Sequence, residues 1–172
     1  DDPLTEGFQI IPYPGLLREL SLNIASESKP EVRFGTTDLT VTNVSGGSWN
    51  AILEIPHYLL PGSYTLQINE QVWNVSVLEV KAVAVDTTAV AISNIPSSLS
   101  LRNTGNTPLD IELKASDLHS DTGSISASKL QYGLGSDHFF TLGSSASVDV
   151  GMSPRQTQEL FLTICIKHQQ KH

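Results

Sequence analysis

Across residues 37–80, apolar and polar side chains alternate at every second position, and turn-forming residues interrupt the alternation about every ten positions. A period of two sends successive side chains to opposite faces of an extended chain, so the stretch reads as short strands with one face buried. Asp38-Leu39-Thr40-Val41-Thr42 is expected to be one strand, and Asn43-Val44-Ser45-Gly46-Gly47 a hairpin turn whose glycines supply positive φ. Trp49, Ala51, Leu53 and Ile55 share one face of the next strand, which Pro56 ends. Leu60-Pro61-Gly62-Ser63 places Pro and Gly at the central positions of a type II turn. Tyr64, Leu66 and Ile68 then alternate with Thr65 and Gln67. After the loop Asn69-Glu70-Gln71, a last strand turns Trp73, Val75 and Val77 inward. The whole reads as a β-meander.

Composition agrees with strands. Charged residues are only 16% of the chain, too few for ordinary helical surfaces, and much of the polarity comes from Ser, Thr and Asn, which favour strands and turns over helix interiors. Residues 8–11 and 16–24 supply the first strands, broken by Pro12-Tyr13-Pro14-Gly15. A second module is expected to begin near Lys81, where Val83, Val85, Val90 and Ile92 form a strand closed by Asn94-Ile95-Pro96. Beyond Leu99-Ser100-Leu101-Arg102, the stretch Asn103-Thr104-Gly105-Asn106 suits a tight turn whose side chains bond to the local backbone. Further strands are expected at 109–113, 128–132, 138–142, 147–150 and 158–166.

Two resemblances follow from these residues. In immunoglobulin sandwiches a tyrosine at the start of strand F bonds back to the chain, two residues before the position that antibodies fill with cysteine. Tyr64 and Leu66 have that spacing, so residues 8–80 resemble a bacterial or archaeal immunoglobulin-like repeat, with Trp49 or Trp73 as the large core residue. The strand, Asn-Thr-Gly-Asn, strand pattern of residues 83–166 resembles an adhesion-like immunoglobulin module of archaeal and bacterial surface proteins, of the CARDB or NEW3 type. The expected fold is therefore all-β, two tandem immunoglobulin-like β-sandwiches, covering residues 1–81 and 82–172. In that family a further strand follows the last one; here Lys167-His168-Gln169-Gln170-Lys171-His172 is polar, so the second sandwich either lacks its last strand or orders its strands differently. An open sheet edge invites strand donation, with residues 8–11 of a neighbouring copy as donor.

The functional expectation is built from exclusions and a few candidates. A net charge of −8 and a pI near 4.9 disfavour a nucleic-acid partner. No apolar run approaches the ~20 residues of a membrane-spanning helix. Cys165, the single cysteine, lies in an apolar run and reads as a structural thiol. Asp121-Thr122-Gly123 matches the aspartic-protease tripeptide but lacks its apolar flanks and reads as a surface turn. His168 and His172 share a helical spacing in a polar tail, and His57, His119 and His138 have no zinc-site spacing. Asp110, Glu112 and Asp117 could meet a calcium ion, but no loop has the ligand spacing; aromatics, at 6%, are too few for a sugar-stacking platform unless Tyr13, Tyr58 or Tyr132 is exposed. Asn43-Val44-Ser45 and Asn74-Val75-Ser76 are sequons, making Asn43 and Asn74 glycosylation candidates of a secreted protein. The chain is thus read as no enzyme and in need of no cofactor. It is expected to be a structural or adhesive module, extracellular or at the surface of a bacterial or archaeal cell, whose partners are other protein chains, copies of itself included. The alternative is a glycan- or calcium-binding accessory module of a larger secreted or envelope protein.

Overall fold

The computed structural model describes residues 7–86, 95–135 and 137–165. The protein is all-β: its regular elements among the described residues are strands in several sheets, apart from one 3-10 turn at Ala127–Lys129. Two compact units emerge, the first Asp1–Ala82 with the loop Thr104–Thr107, the second Val83–Asn103 with Pro108–His172.

The first unit contains β1 (Phe8–Ile10), β2 (Leu17–Ala25), β3 (Val32–Phe34), β4 (Thr37–Asp38), β5 (Val41–Ser45), β6 (Ser48–Pro56), β7 (Gly62–Ile68) and β8 (Gln71–Val77). One sheet has the order β1-β8-β7-β3-β4 and the other β2-β6-β5. β1 runs parallel to β8, with Phe8 opposite Val75 and Ile10 opposite Val77, and the other pairings are antiparallel. The period of two does what it requires. Ile24, Val41, Ala51, Leu53 and Ile55 from one sheet meet Ile10, Val32, Phe34, Leu66, Val75 and Val77 from the other in a single buried cluster. Between them, Ile52, Glu54, Asn74 and Ser76 face outward.

Within residues 37–80 the connections differ from a meander, because the chain changes sheet twice, after β4 and after β6. Residues 38–42 are not one strand: β4 ends at Asp38 in the larger sheet and β5 begins at Val41 in the smaller one. Between them the Leu39 amide donates to the Val32 carbonyl at 2.8 Å, and its side chain packs on the core, which draws the chain across the edge. After β6 the reversal comes at residues 56–59, where the Leu59 amide donates to the Pro56 carbonyl at 3.0 Å. Gly62, with φ of 151°, instead opens β7, away from the roughly +80° of a type II turn. That turn stands at residues 13–16: Leu16 donates to the Tyr13 carbonyl at 3.1 Å, Pro14 fixes the first central residue and Gly15 has φ of 72°.

Thr104–Thr107 reverses another expectation. The Asn106 side chain, fully buried, bonds not locally but far along the chain: its amide donates to the Leu59 and Leu78 carbonyls, each at 2.9 Å, and its oxygen accepts from the Val80 amide at 2.7 Å. A Cβ at Gly105 would collide with the Val80 carbonyl oxygen, so only glycine permits this approach.

The second unit contains β9 (Val83–Val85), β10 (Ser97–Asn103), β11 (Leu109–Lys114), β12 (Leu118–Ser120), β13 (Gly123–Ile125), β14 (Leu130–Gly133), β15 (Phe140–Thr141), β16 (Ser145–Met152) and β17 (Thr157–Ile164). A five-stranded sheet has the order β15-β14-β17-β10-β9, while β11 pairs with β16 and β12 with β13. β17 has a neighbour on each side, and residues 8–10, the expected donor strand, pair within their own unit. Val90, Ile92, Asn94 and the tail from Ile166 onward lie outside the described residues.

Candidate interaction surface

β5 and β6 are arms of one hairpin but differ in length, five residues against nine. Their pairing ends at Val41 opposite Ala51, so residues 52–56 of β6 pair with β2 alone. Among the described residues no strand lies along their other side. The Thr42 hydroxyl donates to the Asn50 carbonyl at 3.3 Å, which places that carbonyl on the β5 side of β6. Because successive residues of a strand present their N–H and C=O groups to alternate edges, Ile52 and Glu54 direct theirs at the vacant side.

This edge borders a groove of about 710 Å³ whose lining includes Phe34, Leu39, Leu53, Tyr58 and Leu59, with Glu19, Asp38 and Glu54 as its acids. Glu19 and Glu54 are exposed and stand directly cross-strand from each other, an arrangement that like charges disfavour. Among the described residues, no Lys or Arg belongs to the groove lining. Asp38 is engaged elsewhere, at 2.7 Å from Arg33 Nε, and this hydrogen bond and charge raise the Arg33 pKa above its ordinary value. Glu19 and Glu54 therefore set the electrostatic sign of the groove.

The fold-defining residues lie in the first unit. Tyr64 stacks on Phe34 with ring centres 5.3 Å apart, and its hydroxyl donates to the Leu60 carbonyl at 2.9 Å. Trp49 and Trp73 are half-buried against the core cluster, and Trp49 Nε1 donates to the Ser26 carbonyl at 3.0 Å. Asn43 is exposed and lies within β5 opposite Trp49, beside a bulge, rather than in the turn; Asn74 is exposed on β8 opposite Thr65.

The remaining candidates are dispersed, and several fasten backbone. Asp110 Oδ1 accepts from the Gly151 amide at 2.9 Å where β11 and β16 shift register, and Asp117 Oδ1 accepts from the Ala127 amide at 2.8 Å. Glu112 lies 3.2 Å from Lys114. No group of three His, Cys, Asp or Glu side chains suited to a metal occurs among the described residues. His57 is buried edge-on against Tyr58, ring centres 5.2 Å apart; His119 lies in β12, His138 is exposed, and His168 and His172 are outside the described residues. Cys165 is half-buried just after β17. Asp121 and Thr122 form the turn between β12 and β13, where the Thr122 amide donates to the Ser120 hydroxyl at 3.3 Å. Tyr13 is 61% exposed and Tyr58 40%, whereas Tyr132 is half-buried against Phe140. No helix among the described residues is long and apolar enough to cross a membrane.

Sequence reasoning missed the Glu19, Ile52 and Glu54 edge. Its signal lay in the hairpin at Gly46-Gly47: the downstream arm runs unbroken to Pro56, while the upstream arm is cut short where Leu39 turns inward. No protein-family model matches the chain, and no curated protein matches it.

Proposed function

We propose that the chain is a non-catalytic structural or adhesive module of an extracellular or cell-surface protein, built of two immunoglobulin-like sandwiches. Support for the fold comes from the first unit. β2-β6-β5 corresponds to strands B, E and D of an immunoglobulin sandwich, and β8-β7-β3-β4 to G, F, C and C′. The bond from Tyr64 to Leu60 stands where such sandwiches place their tyrosine corner.

The observation that carries the function is how the polar side chains are used. Asn103, Asn106, Asp110 and Asp117, four of the candidates for chemistry or turn-making, each hold a backbone group in place. Such a molecule acts through the surfaces that its sheets present. Antibody labelling of intact source cells tests the setting: a surface signal without permeabilisation is expected, and a signal only after permeabilisation contradicts it. Glycans at the exposed Asn43 and Asn74 are part of the proposal, and mass spectrometry of native material showing both bare removes that part.

A second reading, an accessory module that binds glycan, is favoured by the exposure of Tyr13 and Tyr58. Sugar rings stack on exposed aromatic faces, so a glycan array bound by the chain and not by Tyr13→Ala/Tyr58→Ala selects this reading.

A further inference from the structure

We infer that the vacant edge of β6 is a docking strand for an extended peptide bearing a basic residue, bound by strand addition. The inference names the partner class for the adhesive reading and rests on that reading for its biological setting.

Three observations converge on the peptide's chemistry. Residues 52–56 are paired on one side only, and Ile52 and Glu54 together present two N–H and two C=O groups to the open side. An added strand satisfies all four, which is how exposed sheet edges recruit peptides. The groove beside the edge supplies depth: a side chain opposite Leu53 points between the sheets toward Phe34, Leu39 and Leu59, so an aliphatic residue is required there. Its neighbour opposite Glu54 points outward beside the Glu19 and Glu54 carboxylates. Two like charges directly cross-strand call for Lys or Arg at that position.

Antiparallel addition then orders the motif as a basic residue opposite Glu54, an aliphatic residue opposite Leu53, and a β-branched residue opposite Ile52. An anionic or all-polar strand fits neither the acid pair nor the apolar wall. Charge selects the peptide, and the backbone and groove hold it.

The probe is acetyl-Thr-Val-Lys-Val-Thr-amide, titrated into the isotopically labelled full chain and followed by NMR, with the Glu analogue as control. The Lys peptide is expected to shift the Ile52 and Glu54 amides saturably and to slow their hydrogen exchange, with binding weakened by salt. The Glu analogue binds about tenfold more weakly, and Glu19→Lys/Glu54→Lys reverses the preference. Ile52→Pro removes one edge donor and abolishes binding; the charge-reversed variant, which changes only exposed side chains, keeps the test decisive if the proline disturbs folding. Equal binding of the two peptides, shifts away from β6, or slow exchange of Ile52 and Glu54 in the free chain overturns the inference. So do concentration-dependent shifts at these amides without peptide, which assign the edge to a second copy. Surface labelling is independent of this titration, so failure here leaves the adhesive reading separately tested.

Discussion

In the first unit, eleven buried apolar side chains form one connected cluster, and Phe8, Trp49, Tyr64 and Trp73 pack around it. In the second, the connected cluster among the described residues is Leu130, Leu142 and Ile164, with Tyr132 the one aromatic against it. Beside that cluster lies a cavity of about 160 Å³, lined largely by leucines 99, 113, 130, 142, 160 and 162. Aromatic rings plug the space between sheets that branched aliphatics alone leave open, each burying about 150–250 Å². Directed bonds serve both units: Asn106 fastens the first, while Asn103 to Met152, Asp110 to Gly151 and Asp117 to Ala127 hold the second unit's strands and turns. The units differ in how far aromatic packing fills their interiors, while polar side chains fasten backbone in both.

The largest effects separate these two interiors. Ile55 is 1% exposed within the core cluster, and Ile55→Ala is expected to destabilise the first unit by about 4 kcal/mol. Leu142→Ala removes a similar volume beside space already empty and is expected to cost about 2 kcal/mol. Both tryptophans belong to the first unit, so their fluorescence in a denaturant titration follows that unit, while exchange at β14 and β17 amides follows the other. Equal losses would erase the contrast. Next comes Asn106→Ala, which strands one buried N–H and two carbonyls and is expected to cost about 3 kcal/mol, read by the same fluorescence. An effect no larger than that of an exposed substitution would show that solvent replaces the amide.

Much of the first unit was legible because its strands β6, β7 and β8 are long enough to display the period of two without ambiguity. Tyr64 and the inward set of Ala51, Leu53, Ile55, Val75 and Val77 follow from alternation alone. β3 escaped because three residues cannot display a period, and the division of residues 38–42 escaped because a change of sheet is decided by where Leu39 packs. The Asn-Thr-Gly-Asn stretch reads locally as a turn, yet the partners of Asn106 are carbonyls 28 and 47 residues away, which no window of sequence contains. The β6 edge is hidden for a related reason: a vacancy is a property of two strand lengths compared, not of any residue.

Smaller effects sharpen the comparison. Tyr64→Phe removes only the bond to Leu60 and is expected to cost about 1 kcal/mol in the first unit, leaving β14 and β17 exchange unchanged. Ala115→Val adds methyl groups toward the second unit's cavity and is expected to stabilise that unit by about 0.5 kcal/mol, whereas the matching Ala51→Val overpacks the first and destabilises it. Gains from both substitutions would mean that the first interior is as loose as the second.

Native-state hydrogen exchange of the full chain in rising denaturant tests the contrast most directly. The β6, β7 and β8 amides paired within their sheets are expected to open last, and the β11 and β16 amides at lower denaturant. Amides of β11 and β16 that outlast those of β6, β7 and β8, or a single isotherm shared by all of them, would contradict it.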